Sequence, residues 1–217
     1  MKKIPTLFKR VYENHKVVDI LPEVTPGFEW VLEGEGRATN KFDGSCCAII
    51  NGVFYKRFDA KKGRKIPKGA IPCCDPDPVT GHWPHWVKVD CNDPADKWFV
   101  KAYERVNGSD LPDGTYEAVG KHFNGNPYDI SEDLLTPHGI GNVEVERTFD
   151  GIRKYLETTY VEGLVFWKDG EPQCKIKRTD FGFKWGGNTS KTRRAWRLSK
   201  SLRVRTRDRH LMICLEV

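Results

Sequence analysis

The stretch GLVFWKDGEPQCKIKR, residues 163–178, decides the fold class. Two β-type runs flank an Asp-Gly pair at positions 169–170, and Asp-Gly between such runs is a strong signal for a hairpin turn. Within the second run, the alternation of a strand places Lys175 and Lys177 on one face and Ile176 on the other. The stretch therefore predicts an antiparallel hairpin with one cationic and one apolar face.

Short strands separated by turn signals recur along the chain. The runs GVFYKRF (52–58) and GTYEAVG (114–120) are further strand candidates. Segment 60–93 is rich in Lys, Gly, Pro and Cys and predicts a long loop. Helical periodicity is confined to three segments, 94–106, 149–160 and part of 190–202. The pattern predicts an α+β fold dominated by antiparallel strands, with helices packed on the sheets.

The composition favours one sizeable, water-soluble domain. Hydrophobic residues make up 38% of the 217 residues and aromatic residues 12%, which is enough for a packed core. No apolar run is long enough to span a bilayer, and charges interrupt the N-terminus before any signal-type apolar segment. We expect a cytoplasmic protein (in the host cytoplasm if the source is viral) with no membrane partner.

The seven cysteines include two adjacent pairs and do not resemble a secreted disulfide framework, so reduced thiols are expected. A zinc site is the alternative interpretation for Cys73, Cys74, His82 and His85. Their spacing lacks the usual C-x-x-C pattern, and adjacent cysteines point apart on an extended chain. Zinc is therefore the less favoured interpretation of this segment.

The positive charge is concentrated at the C-terminal end. From Lys191 onward there are nine Lys or Arg and two acidic residues, which gives +7, whereas the first 190 residues carry −1 of the total +6. Such asymmetry suggests a polyanion partner. If 202–209 forms a strand, four arginines share one face: Arg203, Arg205, Arg207 and Arg209. They would bind an RNA backbone, or form a charged edge that prevents aggregation.

Lys41 stands before Asp-Gly in RATNKFDG, residues 37–44. A lone lysine in this setting is ordinarily an exposed hairpin residue. For its amine to attack at neutral pH, the pKa must fall by about 3 units from ~10.4. Desolvation and neighbouring cations cause such shifts, and Arg57, Lys175 and Lys177 are cations on strands that could converge. The sequence thus leaves two interpretations of Lys41, a surface residue and a nucleophile.

Five stretches in chain order resemble the ordered motifs of covalent nucleotidyltransferases, the superfamily of ATP-dependent DNA ligases, RNA ligases and mRNA-capping guanylyltransferases. They are KFDG, YKRF, TYEAVG, EGLVFW and KIKR, within residues 30–185. Five further stretches are similar to the vertebrate-type 5′-to-3′ RNA ligase family and its microbial or viral relatives: GSCC, GHWPHWVKV, GKHFNGNPY, PHG and KRTDFG. The resemblance implies a nucleotidyltransferase (adenylation-domain) fold and RNA ligase activity.

The resemblance also implies roles for the cationic residues. Lys41 would attack the α-phosphate of ATP to give a lysyl-AMP phosphoramidate. Lys175 and Lys177 would hold the α-phosphate and drive off pyrophosphate. Arg57 would contact phosphate or the incoming nucleic-acid end.

Other residues are implied in binding the nucleotide and a metal ion. Glu117 matches the glutamate that contacts the ribose, and Glu162 matches the glutamate associated with Mg²⁺ (or Mn²⁺). Thr39 and Asn40, which precede the lysine, are implied in ATP binding.

An aromatic ring near KHFNGNPY is expected to stack on the adenine. Phe123 is the first candidate for this role by position, and Tyr128 is the second. The alternative is that these rings are packing residues, which is the commoner role for aromatic residues in such a loop.

From the resemblance we expect an ATP-dependent ligase that acts as a monomer on RNA with 5′-phosphate and 3′-OH ends. The adenylation domain would occupy 1–190, and the basic segment 191–217 would pack on it. Only 40 residues follow Lys177, too few for the OB-fold domain of DNA ligases and capping enzymes, so no such domain is expected. A guanylyltransferase and a non-catalytic RNA-binding module are the alternatives.

Overall fold

The computed structural model describes residues 3–14, 16–61 and 63–186. Within these ranges the α-helices are α1 (Lys97–Arg105) and α2 (Phe149–Thr158). The strands, in chain order, are β1 (Phe8–Glu13), β2 (Lys16–Val24), β3 (Arg37–Lys41), β4 (Ser45–Ile50), β5 (Val53–Ala60), β6 (Ile71–Pro72), β7 (Trp83–Lys88), β8 (Gly114–Val119), β9 (Leu134–Pro137), β10 (Gly163–Lys168) and β11 (Glu171–Lys177).

The chain divides into two compact units. Of the described residues, unit 1 contains Lys3 and 43–138. Unit 2 contains Ile4–Phe42 and 139–186. The boundary that the sequence predicted after residue 190 lies outside the described residues, so the predicted division into 1–190 and 191–217 stays a prediction.

Unit 2 is built on a three-stranded antiparallel sheet in the order β11-β10-β3. The strands β10 and β11 form the hairpin that the opening stretch predicts. Its turn is the Asp169-Gly170 pair, whose φ angles of 55° and 78° are the left-handed values that a two-residue turn requires. A second antiparallel pair, β1 with β2, belongs to the same unit.

One face of the unit 2 sheet is the core. Leu164, Phe166 and Ile176 are fully buried there, together with Ile152 and Leu156 from α2. The helix begins at a Thr148 cap, whose hydroxyl accepts a hydrogen bond from the Gly151 amide at 3.0 Å. Because the buried residues alternate along β11, its opposite face carries the side chains of Lys175 and Lys177.

Unit 1 contains a six-stranded antiparallel sheet in the order β6-β7-β5-β4-β8-β9. Its core includes Cys47 and Ile49 of β4, Phe54 of β5 and Tyr116 of β8, and Ala102 of α1 packs in the same cluster. The helix α1 follows a single 3₁₀ turn that is capped by the Asp93 side chain.

These elements confirm the predicted α+β class with antiparallel sheets. The prediction of a long loop over 60–93 was wrong in part, because β7 (Trp83–Lys88) pairs along its whole length with β5. Pro84 lies inside this strand and is a poor strand residue, but only its carbonyl is needed there, as the acceptor for the Cys73 amide at 2.9 Å. No helix in the described ranges is long and apolar enough to cross a membrane.

Substitution of Gly163 tests how tightly β10 and β11 are packed. A Cβ at this position would lie 2.2 Å from the Ile176 carbonyl oxygen, which is backbone and cannot rotate away. We expect Gly163→Ala to lower the free energy of unfolding by about 2–3 kcal/mol, as measured by chemical denaturation.

Gly114→Ala in β8 is the matched control, because its nearest neighbour would be a Tyr116 ring carbon at 3.8 Å. We expect a change within about 0.5 kcal/mol for this variant. Equal effects of the two substitutions would contradict the packing argument.

Candidate active site

The strand register of unit 2 brings two lysines to either side of one glycine. Gly163 is paired with Lys41 of β3 on one side and with Lys177 of β11 on the other. Paired residues in an antiparallel sheet point to the same face, so the two lysine side chains lie on the face away from the core. Gly163 has no side chain, and the residue before it, Glu162, is the one that reaches both lysines.

Glu162 joins the two lysines. Its Oε2 accepts a hydrogen bond from Lys41 Nζ at 2.6 Å, and its Oε1 accepts one from Lys177 Nζ at 2.5 Å. The glutamate is only 4% exposed. A carboxylate removed from water is costly unless it is paired with cations, and each of its oxygens has one here.

Lys175 lies on the same strand face, two residues before Lys177, as the alternation of KIK predicts. Burial lowers its pKa to about 8, and the positive charges of Lys41, Lys177 and Arg10 act in the same direction, against Glu162. Within the described part of the chain Lys175 forms no ion pair. The positive charges around Lys175 repel its ammonium group, and binding of an anion would reduce this repulsion.

Arg10 is a site residue that the sequence analysis missed. Its guanidinium is 2.7 Å from Asp180 Oδ1, and its Nε is buried with no hydrogen-bond partner among residues 3–14, 16–61 and 63–186. Asp180 also accepts a hydrogen bond from the Lys177 amide at 2.8 Å. Arg10 is brought to the lysine cluster by a long-range pairing, because the chain just before β1 forms backbone hydrogen bonds with Lys175. No motif in the sequence predicts that pairing.

The charges in this part of unit 2 do not balance. Four cationic side chains, Arg10, Lys41, Lys175 and Lys177, surround two carboxylates. The group therefore carries an excess positive charge in a partly buried place. Such an arrangement is suited to bind a phosphate group.

Thr39 and Asn40 have different surroundings from those expected of ATP ligands. Thr39 is buried, and its hydroxyl accepts a hydrogen bond from Trp167 Nε1 at 2.9 Å. Asn40 lies on the opposite strand face from Lys41, and its Oδ1 accepts a hydrogen bond from Tyr155 of α2 at 3.0 Å. Both side chains position β3, and their predicted contact with ATP stays a prediction.

Glu117 belongs to unit 1 and lies on β8, 8% exposed. Its Oε1 accepts a hydrogen bond from the Gly44 amide at 3.0 Å, and its Oε2 is 2.8 Å from His138 Nε2. Gly44 is the last residue of the KFDG motif, so the carboxylate holds the turn that follows the lysine. The predicted ribose contact of Glu117 stays a prediction.

Arg57, also in unit 1, forms an ion pair with Asp59 on the same strand. Its Nε donates to Asp59 Oδ1 at 2.8 Å. The predicted phosphate contact of Arg57 stays a prediction.

The two candidate adenine-stacking rings are mainly packing residues. Phe123 is 5% exposed and packs edge-on against Phe99, with ring centroids 5.2 Å apart. Tyr128 is buried as well, and its hydroxyl oxygen accepts a hydrogen bond from the Asp43 amide at 2.7 Å. Burial favours the packing interpretation for both rings, and adenine stacking stays a prediction.

The four residues considered for zinc do not form a metal-binding group within the described ranges. His82 Nε2 is 3.3 Å from Asp59 Oδ1, and His85 Nδ1 is 2.9 Å from the Trp83 carbonyl oxygen. The four tail arginines, Arg203, Arg205, Arg207 and Arg209, lie outside the described residues.

Comparison with known proteins gives two distant similarities and no match to a protein-family model. RNA ligase 1 of Danio rerio is 26% identical to this chain, and RNA ligase 1 of Rattus norvegicus is 25% identical. Each alignment covers 68% of this chain and 68% of the relative. These similarities support an RNA-ligase-like relationship, in agreement with the ordered motifs.

Lys175 provides a stability test of the charge arrangement. Its pKa of about 8 in the folded chain lies below the ordinary 10.5, so the folded state disfavours the charged form. We expect Lys175→Met to raise the free energy of unfolding at pH 7 by about 1–3 kcal/mol. The gain should shrink between pH 8 and pH 10.5, where wild-type Lys175 loses its proton in the folded state first.

Lys177→Met is the matched control, because it removes a cation that does pair with Glu162. This variant should lose stability, since one oxygen of the buried carboxylate then loses its lysine partner while the other keeps Lys41. A destabilised Lys175→Met protein would contradict the argument.

Proposed function

We propose that this chain is an ATP-dependent RNA ligase that joins a 5′-phosphate and a 3′-OH end of RNA. The observation that carries the proposal is the cross-strand row Lys41–Gly163–Lys177, with Glu162 between the lysines and Lys175 beside them. It supplies a candidate nucleophile and two cations on one sheet face. The motif order and the distant relatives support the same reaction class.

In the first step, Lys41 as a neutral amine attacks the α-phosphorus of ATP. The Nζ–P bond forms, the bond from the α-phosphorus to the bridging oxygen breaks, and pyrophosphate leaves while the amine proton passes to solvent. Lys175 and Lys177 neutralise the charge that develops on the α-phosphate. Their positive charge is present in the site before ATP binds.

A divalent cation, Mg²⁺ or Mn²⁺, fits this site through Glu162. No group of three metal-ligating side chains includes Glu162 among the described residues. Mg²⁺ is commonly held by one or two carboxylates together with substrate phosphates and waters, so a single glutamate is sufficient. When bound, the ion supplies further charge neutralisation at the phosphates. Its binding requires the lysines to move from the carboxylate towards the phosphates.

The next two steps transfer AMP and seal the RNA. An oxygen of the RNA 5′-phosphate attacks the AMP phosphorus, the Nζ–P bond breaks, and Lys41 regains a proton, giving AppRNA. The 3′-OH then attacks the 5′-phosphate phosphorus, its proton passes to solvent, and AMP leaves. Holding the two ends in line supplies much of the rate enhancement in such reactions.

Substitution of Lys41 tests the nucleophile. Lys41→Arg keeps the positive charge next to Glu162 but cannot attack, because a guanidinium stays protonated. We expect no AMP adduct by intact-mass measurement after incubation with ATP and Mg²⁺, while the wild type gains one AMP.

The matched control for this test is Lys168→Arg on β10, an exposed lysine paired with Glu35. It should be adenylylated as the wild type is. A GMP adduct formed from GTP in preference to ATP would indicate a guanylyltransferase. A wild type with no covalent nucleotide would indicate an RNA-binding module.

The basic tail gives a second, separable prediction. Changing Arg203, Arg205 and Arg207 to Gln should weaken RNA binding and reduce the salt dependence of log K by a slope of roughly 2 to 3. Lysyl-AMP formation from ATP should remain near wild type, because that step uses residues of the unit 2 sheet. An unchanged salt slope would show that the tail is only a charged edge.

A further inference from the structure

Unit 1 contains a second cluster of reactive side chains, which the reaction above uses only in part. Cys46 on β4 is the register partner of Glu117 on β8. His138 directly follows β9, and its amide donates to the Thr115 carbonyl of β8 at 3.0 Å. The thiol, carboxylate and imidazole ligand atoms all lie within 4.8 Å of one another. Three neighbouring strands thus fix the backbone positions of the three groups.

We propose that Cys46, Glu117 and His138 form a binding site for a thiophilic divalent cation of the Zn²⁺ class, distinct from the Mg²⁺ of the ligase reaction. A thiolate and a carboxylate together balance the charge of a divalent ion, and an imidazole completes a donor set typical of zinc. Mg²⁺ prefers oxygen ligands and is disfavoured by sulfur and nitrogen. Three protein ligands leave a fourth position for water.

The geometry requires only small side-chain movements. Tetrahedral zinc with ordinary bond lengths separates its sulfur, nitrogen and oxygen ligands by about 3.3–3.6 Å. The present separations reach at most 4.8 Å, and the closest printed pair, His138 Nε2 and Glu117 Oε2, is 2.8 Å apart. Rotations about side-chain bonds can therefore bring the ligands to these distances without a change in the strands.

Without a metal ion, the imidazole is the member of the three groups that is not fully satisfied. The Nδ1 atom of His138 is buried and has no hydrogen-bond partner among the described residues. A bound cation would replace the thiol proton and offset the repulsion between thiolate and carboxylate. The site is therefore not fully satisfied by protein groups alone.

Occupancy by zinc should inhibit the ligase. This consequence rests on the proposed function together with the ribose contact that the sequence resemblance implies for Glu117. A carboxylate that binds zinc through Glu117 Oε2 is no longer free to contact the nucleotide. Zinc would then slow lysyl-AMP formation, and removing it would restore the rate.

Direct binding can be tested with Co²⁺ on the purified chain, without nucleotide. A thiolate-bound Co²⁺ ion gives a sulfur-to-metal charge-transfer absorption, which we expect for the wild type at one equivalent. Zn²⁺ should displace it and raise the melting temperature. Cys46→Ser should lose the absorption, and His138→Gln should weaken binding at least tenfold.

The matched control is Cys91→Ser, which removes an exposed thiol and should leave the absorption and the melting shift unchanged. If Cys46→Ser does not fold, His138→Gln decides the result. This variant keeps the Cys46 thiol, so only its affinity for the metal ion should fall. No absorption in the wild type, or an undiminished one in folded Cys46→Ser or His138→Gln, would overturn the site.

Inhibition by zinc is measured separately, as the rate of AMP-adduct formation. We expect Zn²⁺ to slow AMP-adduct formation by the wild type at least tenfold at saturating Mg²⁺, with recovery after a zinc-selective chelator. Cys46→Ser should form the adduct at an unchanged rate in zinc. If the wild type shows the Co²⁺ absorption but forms no AMP adduct with Mg²⁺ in the absence of zinc, the zinc site is supported and the ligase proposal is refuted. If it forms the adduct but shows no Co²⁺ absorption, the ligase proposal is supported and the zinc site is refuted. Zinc binding without inhibition would refute only the shared role of Glu117.

Discussion

The buried carboxylate of Glu162 is the constraint on which the unit 2 site depends. Because it is almost removed from water, it must be paired, and only a fixed strand register can bring a cation to each of its oxygens. Gly163 provides this register, because it pairs with Lys41 on one side and with Lys177 on the other. The backbone of Glu162 is itself held by the Arg178 amide at 2.8 Å.

The opposite face of the same sheet offsets the cost of this charge cluster. Leu164, Phe166 and Ile176 are fully buried on it, and burial of such side chains contributes about 1.5–3 kcal/mol each. An uncompensated ammonium at Lys175 works against that gain. Unit 2 therefore places a stable apolar face and an unstable cationic face on one sheet, an arrangement expected where binding of an anion has been favoured over stability.

Local signals made part of this structure predictable from sequence. The Asp-Gly turn fixed the β10–β11 hairpin, and strand alternation assigned Lys175 and Ile176 to opposite faces. Arg10 and His138 were not predictable in the same way, because each reaches its cluster through a backbone pairing between distant segments. The strand β7 was missed because Pro84 and His85 obscure its alternation, whereas its pairing with β5 is a tertiary feature.

The two buried glutamates show how surroundings set the ligand that a carboxylate can take. Glu162 faces two ammonium groups, so a ligand that approaches it must bring negative charge to hold those lysines, as a metal-bound phosphate does. Glu117 instead faces a backbone amide, an imidazole and a thiol. These are groups that become favourable ligands when a cation replaces a proton. The two proposals thus assign a hard, phosphate-bound cation to Glu162 and a thiophilic cation to Glu117, and the different surroundings of the two glutamates are the reason for the difference.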